Sequence, residues 1–190
     1  MKLQRISTLK LLNIAMAITW SALILEMMIK PSVLRIPDSA LSRYSRYPET
    51  AGIHIAGSVL SGIFLLLVAQ NIKQSYGVLK RCIQVAGLSA VLLFLLPFHE
   101  GKVIFFIHAF LSLGLFLSSS IAVIFISLRK RSPINTLLAA VASLACIVLI
   151  IAVLIKSTSW YFNAPLLELL FIACFYTSMQ YNFRKNNLTL

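Results

Sequence analysis

The sequence predicts an all-α fold: a polytopic transmembrane bundle of six helices with the N- and C-termini cytoplasmic. Three observations carry this expectation. The 190-residue chain is 59% hydrophobic and only 12% charged, with a mean hydropathy of +0.92. An ordinary soluble domain carries about 25% charged residues. The apolar residues gather in six long runs with short polar breaks, and the 17 Lys and Arg are scattered between those runs. This composition excludes a disordered or fibrous chain and argues against a soluble enzyme domain. The net charge of +12 then reflects membrane topology rather than a nucleic-acid partner.

A spanning helix needs about 20 mostly apolar residues. The first run, about 11–29, follows Lys2, Arg5 and Lys10 and stops before Pro31 and Pro37. Its Ala-Met-Ala at 15–17 lies inside the apolar stretch, so cleavage would cut through the run. The segment therefore reads as a retained helix and not as a leader peptide. The second run spans about 51–70, and the third about 82–98, preceded by Gly77 and ending near Pro97. His99-Glu100 divides it from the fourth, about 103–128. Arg129-Lys130-Arg131-Ser132-Pro133 separates the fourth from the fifth, about 134–155, and the sixth covers about 161–183. The chain reads as one integral membrane domain over 1–190.

Charge bias sets the orientation. The two tails and the even loops hold eleven Lys and Arg, against six in the odd loops. Basic residues favour the cytoplasmic side, so both termini are expected there, in a cell membrane and most simply a bacterial cytoplasmic one. The Asn187-Leu188-Thr189 sequon has no meaning on that side.

On this topology all five acids (Glu26, Asp38, Glu49, Glu100 and Glu168) and all three histidines (His54, His99 and His108) fall on the outer side or in the outer half of a span. His54, Ser58 and Ser61 share one face of the second run, and His108, Ser112 and Ser119 one face of the fourth. Ionisable groups inside a span usually face the bundle interior or a wet cavity. An outward-opening polar cavity is therefore expected, with Glu26, His54, Glu100, His108 and Glu168 converging near it. A histidine is the expected partner for Glu168, because a buried carboxylate needs a partner or water. Tight packing is the alternative for the small pairs Gly52/Ala56, Gly57/Ser61 and Ser58/Gly62. In the first outer loop, Arg43 and Arg46 either meet anionic groups such as lipid phosphates or pair with Asp38, Glu49 or Glu100. The ligand-binding candidates are thus Glu26, Arg43, Arg46, His54, Ser58, His99 and Ser112. A metal reading has His54, His108 and Glu168 as its candidate ligands, and a haem reading has the pair His54 and His108. The cofactor itself stays open. Cys82, Cys146 and Cys174 form no CxxC, and no disulfide is expected.

The loop with Ser42, Arg43, Tyr44 and Arg46, the segment Gly57-Ser58-Val59-Leu60-Ser61-Gly62-Ile63-Phe64-Leu65-Leu66, and then Pro97-Phe98-His99-Glu100-Gly101 and Ile107-His108 form a pattern. Over about residues 37–128 it resembles the bacterial domain-of-unknown-function family nine-nine-eight of six-span membrane proteins. Those proteins often carry a Phe-Pro-x-Asp-like turn before a span opening with Ile/Leu-His. The resemblance implies that Glu100 stands for the acid and His108 for the histidine. More distantly, the chain is similar to the six-span FRAG/DRAM/Sfk type, with Pro48-Glu49 as the Pro-Glu pair of the first outer loop. The resemblance implies an architecture rather than a chemistry.

The sequence holds no P-loop, GxGxxG, HExxH or GxSxG. The expected function is therefore binding of a lipid or small ligand in the outer cavity, or an accessory role in the membrane. The alternative is an enzyme acting on a lipid-linked substrate at the outer leaflet, with His108 and Glu100 or Glu168 as acid and base. The expected partners are the lipid bilayer and a lipid or small-molecule ligand, with no nucleic acid. Protein partners stay open.

Overall fold

The computed structural model describes residues 7–35, 41–95, 102–130, 132–155 and 164–185. Six helices follow one another: α1 (Thr8–Ile29), α2 (Pro48–Gln70), α3 (Gly77–Leu95), α4 (Lys102–Lys130), α5 (Pro133–Ile155) and α6 (Ala164–Lys185). Local chemistry sets several ends. Ser7 caps α1 by accepting the Lys10 N–H at 3.3 Å, and Pro48 opens α2 at a position where its missing N–H costs nothing. Pro133 opens α5, whose first turn is closed by the Thr136 N–H donating to the Ser132 carbonyl at 2.9 Å. Short 3-10 turns at Pro31–Arg35 and Leu41–Arg46 connect α1 to α2.

Consecutive helices pack against one another, and α6 returns against α1 and touches α4. The α1–α6 seam is antiparallel: Asn13 accepts from Gln180 at 2.9 Å, and Thr19 meets Tyr176 at 2.9 Å. The N-terminus of α1 and the C-terminus of α6 therefore lie at one end of the bundle, here the terminal end. The Leu41–Arg46 turn lies at the other, here the loop end. A buried apolar core fills the terminal half: Leu12 and Ala15 of α1, Leu65 and Val68 of α2, Ile83 of α3, Val123 of α4 and Met179 of α6 belong to it. Arg129 closes this end of α3 and α4. It donates to the Ser75 carbonyl at 3.0 Å and lies over the Tyr76 ring at 4.8 Å. Cys82, Cys146 and Cys174 are free thiols, the last two buried between α5 and α6.

Polarity is inverted relative to a water-soluble bundle. Phe110 is 74% exposed, Leu128 73% and Leu144 64%, while Glu26, Asn135, Ser178 and Asn182 are fully buried. Apolar side chains face out and polar ones face in, as a hydrocarbon solvent requires. Five helical stretches are long and apolar enough to cross a membrane: Thr8–Ile29, Pro48–Gln70, Gln74–Leu93, Phe106–Arg129 and Pro133–Ile151. The described part of the sixth expected run, α6, is not among them. It carries Glu168, Ser178, Gln180, Asn182 and Arg184, and the first, second and fourth of these are turned into the bundle.

Small residues bring α1 to α4 close together. A Cβ on Gly57 would overlap the Ala22 Cβ, one on Gly62 would come 2.8 Å from the Gly87 carbonyl oxygen, and one on Gly114 2.8 Å from Ser89 Oγ. The packing alternative thus holds at Gly57 and Gly62, while Gly52 meets nothing within 4 Å and belongs to no such contact.

α6 is held by polar pairs instead. The Asn135 and Asn182 amides donate to each other at 3.2 and 2.9 Å, both fully buried. Asn135→Leu is expected to cost about 1–2 kcal/mol, because it strands half of the Asn182 amide. The double variant Asn135→Leu/Asn182→Leu should recover most of that loss. Thermal unfolding in detergent measures both, and equal effects of single and double variants would contradict the pairing.

Candidate functional site

The loop end gathers the titratable residues. Glu26 lies one turn before the end of α1, with its carbonyl accepting the Lys30 N–H at 2.8 Å, and its side chain is fully buried. His54, in the second turn of α2, is 4% exposed. Its Nδ1–H donates to Glu26 Oε1 at 2.9 Å. Two spanning helices thus place an acid and a base in direct contact inside an apolar-faced bundle.

The Leu41–Arg46 turn covers this pair. A 3-10 turn has three residues per turn, so positions i and i+3 share a side. Leu41 and Tyr44 accordingly face inward and are buried, while Arg43 is half-buried and Arg46 exposed. The Tyr44 ring is 6.5 Å from the His54 ring, and Leu23 and Val33 complete the apolar packing around it. Burial and the neighbouring Glu26 charge push the Tyr44 phenol up to about 12, so it stays protonated at neutral pH. Two side-chain bonds hold the turn down. Thr50 Oγ1 donates to the Tyr44 carbonyl at 2.7 Å, and the Leu41 N–H donates to Glu168 Oε2 at 2.7 Å.

His108 of α4 is buried on the same side, near enough to His54 and Arg46 to feel them electrostatically. Glu26, His54 and His108 therefore share one neighbourhood with Tyr44 and Arg46. Glu168 reaches it only through the backbone of the turn. The histidine expected for Glu168 is replaced by the Leu41 N–H, and the histidine that finds a carboxylate is His54, with Glu26. Geometry decides this: Glu168 on α6 lies against the start of the turn, whereas α1 and α2 are direct neighbours. Glu49, one of the acids weighed as a partner for Arg43 or Arg46, pairs with Lys30 at 3.8 Å. Asp38, His99 and Glu100 lie outside the described residues, as does the carry-over of Glu100.

The serine stripes contribute less than expected. Ser58 and Ser112 are half-buried, and the Ser61 hydroxyl donates to the Gly57 carbonyl of its own helix. Among the described residues, Glu26 and His54 are buried beneath the Leu41–Arg46 turn. Among the described residues, no three His, Cys, Asp or Glu side chains come together to hold a metal ion. The trio His54, His108 and Glu168 is thus not assembled as a ligand set. The acid–base role weighed for Glu168 with His108 meets a carboxylate already engaged by a backbone N–H. The residue the sequence did not single out is Tyr44. Only its spacing of three from Leu41 distinguishes it from Tyr47 and the other loop tyrosines.

An inverted bundle with an acid–base pair buried between spanning helices defines a helical membrane protein with an ionisable site at one end. The chain belongs to the family described as protein of unknown function (DUF998), whose model matches residues 13–179. No curated protein and no solved structure matches it.

Breaking a buried ion pair from one side leaves an uncompensated polar group and costs about 3–5 kcal/mol, more than replacing both partners. Glu26→Leu and His54→Leu are each expected to lose stability on that scale, and Glu26→Leu/His54→Leu to lose less than their sum. A double-variant cycle on chemical denaturation reads the coupling, and simple additivity would show that the two side chains do not act together.

Proposed function

We propose that this protein is a six-span protein of the cell membrane, bacterial and cytoplasmic in type, with both termini in the cytoplasm. In this reading it binds a lipid headgroup or a small polar ligand at its outer face. The observation that carries the reading is the buried Glu26–His54 pair under a turn that also carries the half-buried Arg43 and the exposed Arg46. Ionisable groups within a bilayer are costly and are kept where they contact substrate, ion or ligand. Arg presents a planar fork that suits a phosphate or carboxylate.

The asymmetry of the interior supports an approach from the loop end. The described acids and histidines cluster there, while the terminal half holds a large apolar core from Leu11 to Phe183 and the uncharged Asn135–Asn182 pair. The charge bias of the loops and tails supports placing that loop end outside. α6 takes part as the sixth span in this reading, with Tyr176, Gln180 and Asn182 hydrogen-bonded to α1 and α5 rather than facing lipid unpaired.

Two measurements test the proposal. Arg43→Ala/Arg46→Ala protein, extracted from vesicles of phosphatidylglycerol and phosphatidylcholine, should retain several-fold less phosphatidylglycerol than the unaltered chain by native mass spectrometry. Equal retention would remove the headgroup reading. A reporter joined after Lys185 should be active only when the assay reads the cytoplasm, and an external signal would reverse the orientation.

A further inference from the structure

We infer that Glu26, Tyr44 and His54 form a buried site for a single hydroxyl group, carried either by a water molecule or by a hydroxylated lipid headgroup. The inference deepens the outer-face reading and rests on it. Its starting point is an account of hydrogen bonds. A carboxylate offers two oxygens with about four acceptor positions. His54 takes Oε1 of Glu26, but Oε2 is completely buried and meets no donor among the described residues. The Tyr44 hydroxyl is also completely buried and without a hydrogen-bond partner among them. Buried polar atoms in folded proteins are nearly always satisfied, by protein or by ordered water. Two orphans on side chains that both face His54 therefore point to a common occupant.

The two atoms belong to one place. Glu26 is close enough for its charge to act on the Tyr44 phenol, and the Tyr44 ring is 6.5 Å from the imidazole that binds Glu26. Thr50 and Glu168 hold the backbone of the turn that carries Tyr44 over the pair.

The chemistry then selects the occupant. Glu26 Oε2 only accepts. The Tyr44 hydroxyl is protonated at neutral pH and is free to donate. A hydroxyl group complements both at once, donating to the carboxylate and accepting from the phenol. An ammonium would donate to Glu26 and to the Tyr44 oxygen but leave the phenol proton without an acceptor. A phosphate or carboxylate would accept from Tyr44 but be repelled by Glu26. Water meets the requirement, and so does the terminal hydroxyl of a glycerol headgroup whose phosphate lies nearer Arg46 at the exposed edge.

The test is Tyr44→Phe, which removes one oxygen and keeps the ring. Removing a hydroxyl that truly has no partner is neutral or stabilising, whereas removing one that holds a ligand is destabilising. The unaltered and Tyr44→Phe chains are reconstituted in nanodiscs of phosphatidylcholine, which lacks a headgroup hydroxyl, and of phosphatidylglycerol, which has two. Folding is checked by circular dichroism, and thermal unfolding is recorded. A Tm lower by about 2–4 °C in both lipids supports a bound water. A loss confined to phosphatidylglycerol supports the lipid hydroxyl. An equal or higher Tm for Tyr44→Phe in both lipids overturns the inference. The outcomes separate this site from the headgroup reading. If Arg43→Ala/Arg46→Ala sheds phosphatidylglycerol while Tyr44→Phe is neutral, only the hydroxyl site fails. If the arginine variant keeps the lipid while Tyr44→Phe is destabilised in both lipids, the site holds water and the headgroup reading fails.

Discussion

A fully buried carboxylate between two apolar-faced helices is the constraint on which the loop end of this protein depends. Glu26 cannot reach water, so its charge or its proton must be accommodated inside the bundle. The His54 imidazole at 2.9 Å does this, and it does so only if α1 and α2 keep a close and fixed approach. Gly57 provides that approach. Three residues from His54 on the same helix, it lies against Ala22 of α1, where any side chain would collide. The ion pair and the glycine contact are thus two parts of one arrangement: the glycine sets the distance and the pair uses it.

The same logic extends across the bundle in two styles. From α1 to α4 the helices are held by close backbone approach at Gly57, Gly62, Gly87 and Gly114. Around α6 they are held by hydrogen-bonded side chains: Thr19 with Tyr176, Asn13 with Gln180, and Asn135 with Asn182. Lipid gives no hydrophobic drive for one apolar helix to join another, so contact must come from fit or from polar pairing. α1 to α4 rely chiefly on fit. α6 has too polar a composition to stand alone in lipid and relies on its neighbours for each of those groups.

The loop end differs from the terminal end because the Leu41–Arg46 turn folds into it. Its three-residue period sends Leu41 and Tyr44 inward and leaves Arg43 half-buried and Arg46 exposed on another side. One short segment therefore supplies an apolar plug, a phenol facing the ion pair and a basic outer rim. Glu168 serves this segment rather than a histidine, and its role is to hold the turn that closes the site. The buried acids and histidines described at this end thus lie on α1, α2, α4 and α6, around the turn between α1 and α2.

By itself the sequence determined the class of fold: an all-α bundle of six helices with apolar membrane-type spans. Run length and composition are local properties, and they survive any arrangement of the helices. It also determined that Glu26, Glu49, His54, His108 and Glu168 gather toward one end, since that follows from their positions along the runs. Tertiary structure decided which of them meet. Glu26, His54 and His108 lie at similar depth, and nothing in a single sequence says that α1 and α2 are neighbours with those faces turned together. The pairing of Glu168 with a backbone N–H was equally hidden, because backbone donors are alike at every position and only folding frees one of them beside a given side chain. Tyr44 was overlooked for the same reason. It stands among several loop tyrosines, and burial distinguishes it only once the turn has folded over the pair.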